Sequence, residues 1–144
     1  MAFDGFLLFP DRVGMVAEMS GETIFIVDDD EAVRDSLKLL LESHGCCVRD
    51  YGSTRDFFRD YRQDKRQCLI LDHHLPGETG VEFLESDDGA TLRVPVILMT
   101  GGGDPTLRLR ATKAGALAYF DKPINDSELV ATIFRLLDGG PSAA

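Results

Sequence analysis

At 144 residues with 44% hydrophobic content, the chain is long enough for one domain with a real core and too apolar to be disordered throughout. Its formal net charge of −10 argues against a general nucleic-acid or anionic-membrane surface and suits a cation site or a basic partner patch. Its three cysteines, Cys46, Cys47 and Cys68, include no CxxC spacing, which argues against a disulfide scaffold or a structural zinc site and favours small buried hydrophobes in a reducing cytoplasm.

Residues 1–20 have no clear period. Phe6-Leu7-Leu8-Phe9 is too short to cross a membrane, follows Asp4 rather than a basic region and is closed by Pro10, so it makes a poor signal peptide. The stretch reads as a loosely ordered N-terminal extension, with a start codon misplaced upstream of Met15 or Met19 as the alternative. From Thr23 the pattern sharpens. Thr23–Val27 is β-branched and aromatic, the composition of a buried strand, and runs straight into Asp28-Asp29-Asp30. Asp30 caps a helix whose apolar face carries Val33, Leu37, Leu40 and Leu41 and which Gly45 stops. Cys46-Cys47-Val48 is a second short strand. Ser53 offers an N-cap, with Asp56 in a capping-box-like position, to a helix with Phe57, Phe58 and Tyr61 on its apolar side.

Cys68–Leu71 is an apolar run bounded by Asp72 and by Pro76-Gly77, the pattern of a strand buried on both faces. Val81, Phe83 and Leu84 suggest a short third helix, broken by Asp87-Asp88-Gly89. Val94–Met99 is the fourth strand, with Pro95 near its start, ended by Thr100 and Gly101-Gly102-Gly103. Leu107, Ala111 and Ala114 mark a fourth helix closed by Gly115. Leu117–Phe120 is a fifth strand leading to Lys122-Pro123. Asn125 with Glu128 caps a last helix bearing Leu129, Ile133, Leu136 and Leu137, and Gly139-Gly140-Pro141 stops it. Five alternations of strand and helix predict an α/β fold: a flavodoxin-like, doubly wound five-stranded parallel sheet, (βα)5, with order 2-1-3-4-5. The domain spans 21–138, between the extension at 1–20 and a tail at 139–144.

That topology gathers Asp28, Asp29, Asp72, Thr100 and Lys122 at the carboxyl ends of the strands, where open α/β sheets place their chemistry. Three carboxylates so close repel and need a compensating cation; oxygen-only ligation favours Mg2+ or Mn2+ over zinc. Metal, lysine and hydroxyl converging on one carboxylate make a site for a bound phosphoryl group, with Asp72 as nucleophile.

The segments Phe25–Asp30, Leu69–Gly77 with Gly80, Met99–Gly101, Lys113–Ala116 and Asp121–Pro123 stand in the order found in the receiver domain of two-component response regulators, which residues 22–138 resemble. Thr100–Asp104 is most like receivers of the nitrogen-fixation regulator type. The resemblance implies Asp72 as phosphoacceptor, Asp28 and Asp29 as the acidic pair with Asp29 the direct metal ligand, and the His74 carbonyl as a backbone ligand. It implies Thr100 as switch hydroxyl, Lys122 as phosphate contact and Tyr119 as switch aromatic. His74 and Gly102 would line the approach of water and set the acyl-phosphate lifetime. The implied partners are a sensor histidine kinase or histidine phosphotransfer protein, and a protein target or second copy on the face of the fourth helix, fifth strand and last helix. Neither nucleic acid nor membrane is an expected partner. The expected place is the cytoplasm, and the expected role is regulatory rather than enzymatic.

The rival readings are a haloacid-dehalogenase-type phosphatase and a non-phosphorylated receiver-like scaffold. The first wants an acid where His74 stands; the full acid set argues against the second. His73-His74 as a transition-metal pair or pH sensor is disfavoured, because adjacent residues in an extended segment are expected to point apart and, with His44 expected at the end of the first helix, no third ligand is apparent.

Overall fold

Residues 21–139 are described in a computed structural model of the chain; the expected extension over 1–20 and the tail from Gly140 onward lie outside the described residues. In chain order the elements are β1 (Thr23–Val27), α1 (Glu31–Ser43), β2 (Cys47–Tyr51), α2 (Thr54–Asp60), β3 (Gln67–Asp72), α3 (Gly80–Glu85), α4 (Asp87–Ala90), β4 (Val96–Thr100), α5 (Pro105–Lys113), β5 (Ala118–Asp121) and α6 (Asp126–Leu137). The strands form one parallel sheet in the order β2-β1-β3-β4-β5, as expected.

Period-2 alternation along the strands divides the core in two. On one face Ile24, Ile26, Cys68, Ile70, Ile97 and Met99 pack against Leu37 and Leu41 of α1 and Leu129 and Ile133 of α6. On the other, Phe25, Val27, Leu69, Leu71 and Leu98 pack against Phe57 of α2, Val81 and Phe83 of α3 and Ala111 of α5. All six residues of β3 are buried, which is why its sequence shows no alternation. Phe57 anchors the second face, with its ring edge-on to Phe25 at 5.3 Å and to Tyr51 at 5.9 Å. Burying a ring of this kind stabilises the fold by about 2–3 kcal/mol.

The expected caps form. Asp30 accepts the Ala32 N–H, Ser53 that of Asp56 and Asn125 that of Glu128. Gly45 ends α1 at φ +87°, a conformation that costs glycine little. Three expectations need correction. Cys47, read with Cys46 and Cys68 as a buried hydrophobe, is exposed at the start of the edge strand β2. Asp87-Asp88-Gly89 does not end the helical region: it forms α4, and the break falls at Ser86. That serine is extended, and its hydroxyl accepts the Gly89 N–H at 3.1 Å. Serine at an N-cap followed by two acids in the first turn starts a helix as readily as it ends one. The second strand runs on to Tyr51, past the apolar stretch, because β2 is a sheet edge where Arg49 faces solvent.

Candidate functional site

The register explains how the site assembles. Val27 pairs with Leu71, so Asp28 and Asp72 stand side by side one step further on. Asp72 pairs with Met99, and Thr100 with Asp121. Past the strand ends the sheet is extended by His73 N–H donating to the Met99 carbonyl and Lys122 N–H donating to the Thr100 carbonyl, both at 2.8 Å. Asp28, Asp72 and Lys122 continue the parity of the face packed on α1 and α6. Thr100 and Tyr119 continue the parity of the opposite face.

The Lys122 ammonium follows from that parity. Its Nζ lies 3.1 Å from Asp28 Oδ2 and 3.5 Å from Asp72 Oδ1, while the side chains of Asp28 and Asp72 are only 1% and 3% exposed. Burial by itself lowers the Lys122 pKa, but the hydrogen bond to Asp28 and the charges of Asp72 and Asp28 outweigh it and hold the group above the ordinary lysine range. Burial and then the Asp28 charge push the Asp72 carboxyl above its ordinary range, against the pull of Lys122 and of the His74 N–H.

Asp29 is exposed at the rim. One carboxylate oxygen from each of Asp28, Asp29 and Asp72 lies within 4.8 Å of the others, and no other such cluster of acid, histidine or cysteine ligands occurs among the described residues. The donor set is all carboxylate oxygen, which fits a hard divalent cation of the Mg2+ or Mn2+ kind. Lys122 pairs with two of the three carboxylates, and in raising the Asp72 pKa the Asp28 charge adds to burial, which is the larger cause.

Arg34, which sequence reasoning missed, braces this corner. Its Nη1 donates to the Asp28 carbonyl at 2.8 Å and its Nε to Asp50 Oδ2 at 2.9 Å, tying β1 to the edge strand. The available signal was an arginine one turn into α1 on the side facing β2, which reads at first as a solvated helix face.

Thr100 is fully buried. Its Oγ1 lies 3.0 Å from His74 Nε2 and accepts the Gly102 N–H at 3.4 Å. The His74 N–H donates to Asp72 Oδ1 at 3.3 Å. The two histidine rings do not point apart as expected: they meet edge-on at 5.2 Å, because the chain turns at Leu75, whose N–H donates back to the His73 carbonyl. Their ring nitrogens still serve different partners. The N–H of Val81 donates to His73 Nδ1 at a long 3.5 Å, while His74 faces Thr100.

Tyr119 turns inward. Its hydroxyl is buried without a hydrogen-bond partner, under the Arg108 guanidinium at 5.2 Å from the ring centre. A Cβ on Gly103 would collide with that hydroxyl and come within 2.7 Å of the Thr100 methyl, so glycine is what lets the tyrosine in. Gly102, by contrast, has open space around it.

Among the described residues no helix is long and apolar enough to cross a membrane. The response regulator receiver domain family matches residues 24–134. The transcriptional regulatory protein FixJ of Azorhizobium caulinodans is 36% identical over 110 residues, covering 76% of this chain and 52% of that protein. The response regulator protein TmoT of Ectopseudomonas mendocina is 35% identical over 134 residues, covering 92% of this chain and 61% of that protein. The crystal structure of FixJ-N matches with a TM-score of 0.73 at 32% identity, over 83% of this chain and 96% of that one. The chain thus spans little more than half the length of these curated relatives. With the sheet order, the acid pocket and a family match across the whole sheet, the chain belongs to the response regulator receiver domain family.

Proposed function

We propose that the chain is the phosphoacceptor of a two-component phosphorelay, receiving on Asp72 a phosphoryl group from a phosphohistidine. The observation that carries this reading is the cluster of three carboxylates within 4.8 Å of one another, with Lys122 bridging two of them. An Asp72 oxygen attacks phosphorus in line; the P–N bond breaks, its electron pair returns to the donor imidazole, and an acyl phosphate forms. When bound, Mg2+ or Mn2+ would supply positive charge to the phosphoryl oxygens. Asp28, Asp29, Asp72 and the backbone carbonyl of His74 are the groups that would hold it.

Lys122 already stands 3.5 Å from Asp72, close enough to meet a phosphoryl oxygen built on that carboxylate. Thr100 offers its hydroxyl proton to another, and Tyr119 responds to that hydroxyl from the same side of the sheet. His74 and Gly102 flank the path of an attacking water and set how long the acyl phosphate lasts. The donor is a sensor histidine kinase or histidine phosphotransfer protein in the cytoplasm. The output surface, for a protein target or a second copy of the chain, is the face of α5, β5 and α6.

Incubation with acetyl phosphate and Mg2+ should add the mass of one phosphoryl group, and Asp72→Ala should abolish it. Labelling that survives in Asp72→Ala sinks the assignment. Dephosphorylation of His74→Asn tests the lifetime claim, and an unchanged rate refutes it.

A further inference from the structure

The buried Thr100 hydroxyl has two polar neighbours, and they make different demands on it. The Gly102 N–H can only donate, so at 3.4 Å it occupies an oxygen lone pair. The hydroxyl's single proton then needs an acceptor, and His74 Nε2 at 3.0 Å is the acceptor in reach. For that buried proton to be satisfied, His74 must present Nε2 as the acceptor and carry its own proton on Nδ1. His74 is held in place twice more. Its backbone N–H donates to Asp72 Oδ1 at 3.3 Å, and its ring sits edge-on to His73 at 5.2 Å. Gly101 and Gly102 offer no side chain that could compete for the ring's place.

In the reading above, on which this inference rests, the same hydroxyl proton meets a phosphoryl oxygen once Asp72 is modified. One proton cannot serve both acceptors. We infer that His74 is a positioning residue that holds the Thr100 hydroxyl in the unphosphorylated chain and competes with the phosphoryl group for it. The histidine therefore sets the switching equilibrium, which is a separate matter from shielding the acyl phosphate against water. Shielding alters only a hydrolysis rate. Competition alters the equilibrium affinity for a phosphoryl mimic that is not hydrolysed. A net hydrogen bond exchanged in this way is worth about a two- to tenfold change in a binding constant.

Two measurements on the full chain test this. The first needs no phosphoryl group: the nitrogen resonances of the His74 ring, followed by NMR, should move in Thr100→Val while those of His44 stay in place. An unmoved His74 ring overturns the inference. The second is titration with beryllium fluoride in Mg2+. His74→Ala should bind it about two- to tenfold more tightly, His74→Gln, whose amide oxygen can accept the same proton, should fall back toward the unsubstituted chain, and His74→Ala should have no effect in a Thr100→Val background. Equal affinities, or a gain that persists without the hydroxyl, overturn it. If the unsubstituted chain binds no beryllium fluoride, the phosphoacceptor reading fails too; if it binds and His74→Ala changes nothing, only the competition fails.

Discussion

Asp72 combines burial with the like charge of Asp28 beside it, and the consequence can be given a sign. Its folded pKa lies above the unfolded value, so the ionised form costs stability. That cost is fully present above the folded pKa and is relieved as pH falls through it toward the unfolded pKa. Asp72→Asn should therefore raise the thermal midpoint at pH 7 without divalent ions, by about 3 °C for a change of roughly 1 kcal/mol in a domain of this size. The gain should shrink as the pH drops into the carboxylate range; calorimetry at pH 7 and pH 4.5 checks it, and a lower midpoint at pH 7 would contradict it. At this scale the sequence was readable where a polar residue ends an apolar run: Asp28, Asp72 and Thr100 are each the first polar residue after buried strand residues. It was not readable where a side chain's partner depends on how the chain turns beyond the strand. Arg34 meeting the Asp28 carbonyl and His74 meeting Thr100 are both of that kind.

At the level of elements, the site depends on how closely α3 approaches the end of β3. Gly80 begins α3, and a Cβ there would stand 2.5 Å from the Asp72 carbonyl oxygen and 3.0 Å from the His73 Cα. Both are backbone atoms, so neither can swing aside. Gly80→Ala should cost about 1–3 kcal/mol in urea unfolding and also slow labelling of Asp72 by acetyl phosphate, since relief requires α3 or the strand end to move. Normal labelling at undiminished stability would show that the approach is not needed. The sequence disclosed this glycine as part of a motif but not the contact that demands it. It also hid the capping box at α3, in which Thr79 accepts the Glu82 N–H while Glu82 accepts that of Thr79, because proline and glycine just upstream suggest only a turn. The five strands were easier to read, since three of them, β1, β3 and β4, are largely apolar runs that only a sheet covered on both faces can bury.

For the whole molecule, the acidic pocket and the net charge of −10 act together. A divalent cation that binds only the folded chain stabilises it by mass action, so millimolar Mg2+ should raise the thermal midpoint, and the rise should be lost in an Asp28→Asn, Asp29→Asn chain. Equal shifts in both chains would place the ion elsewhere on the acidic surface. The inward tyrosine carries one more consequence, and it is optical. The chain has no tryptophan and three tyrosines. The rings of Tyr51 and Tyr61 are packed around Phe57, at 5.9 Å and 5.4 Å, although the Tyr51 carbonyl accepts the Asp28 N–H at 3.1 Å. Tyr119 alone lies beside Thr100 and Gly103, beneath a guanidinium. Native ultraviolet emission from this protein is therefore tyrosine emission with one ring beside Thr100. A change on adding Mg2+ and beryllium fluoride should vanish in Tyr119→Phe, giving the switch a built-in dye.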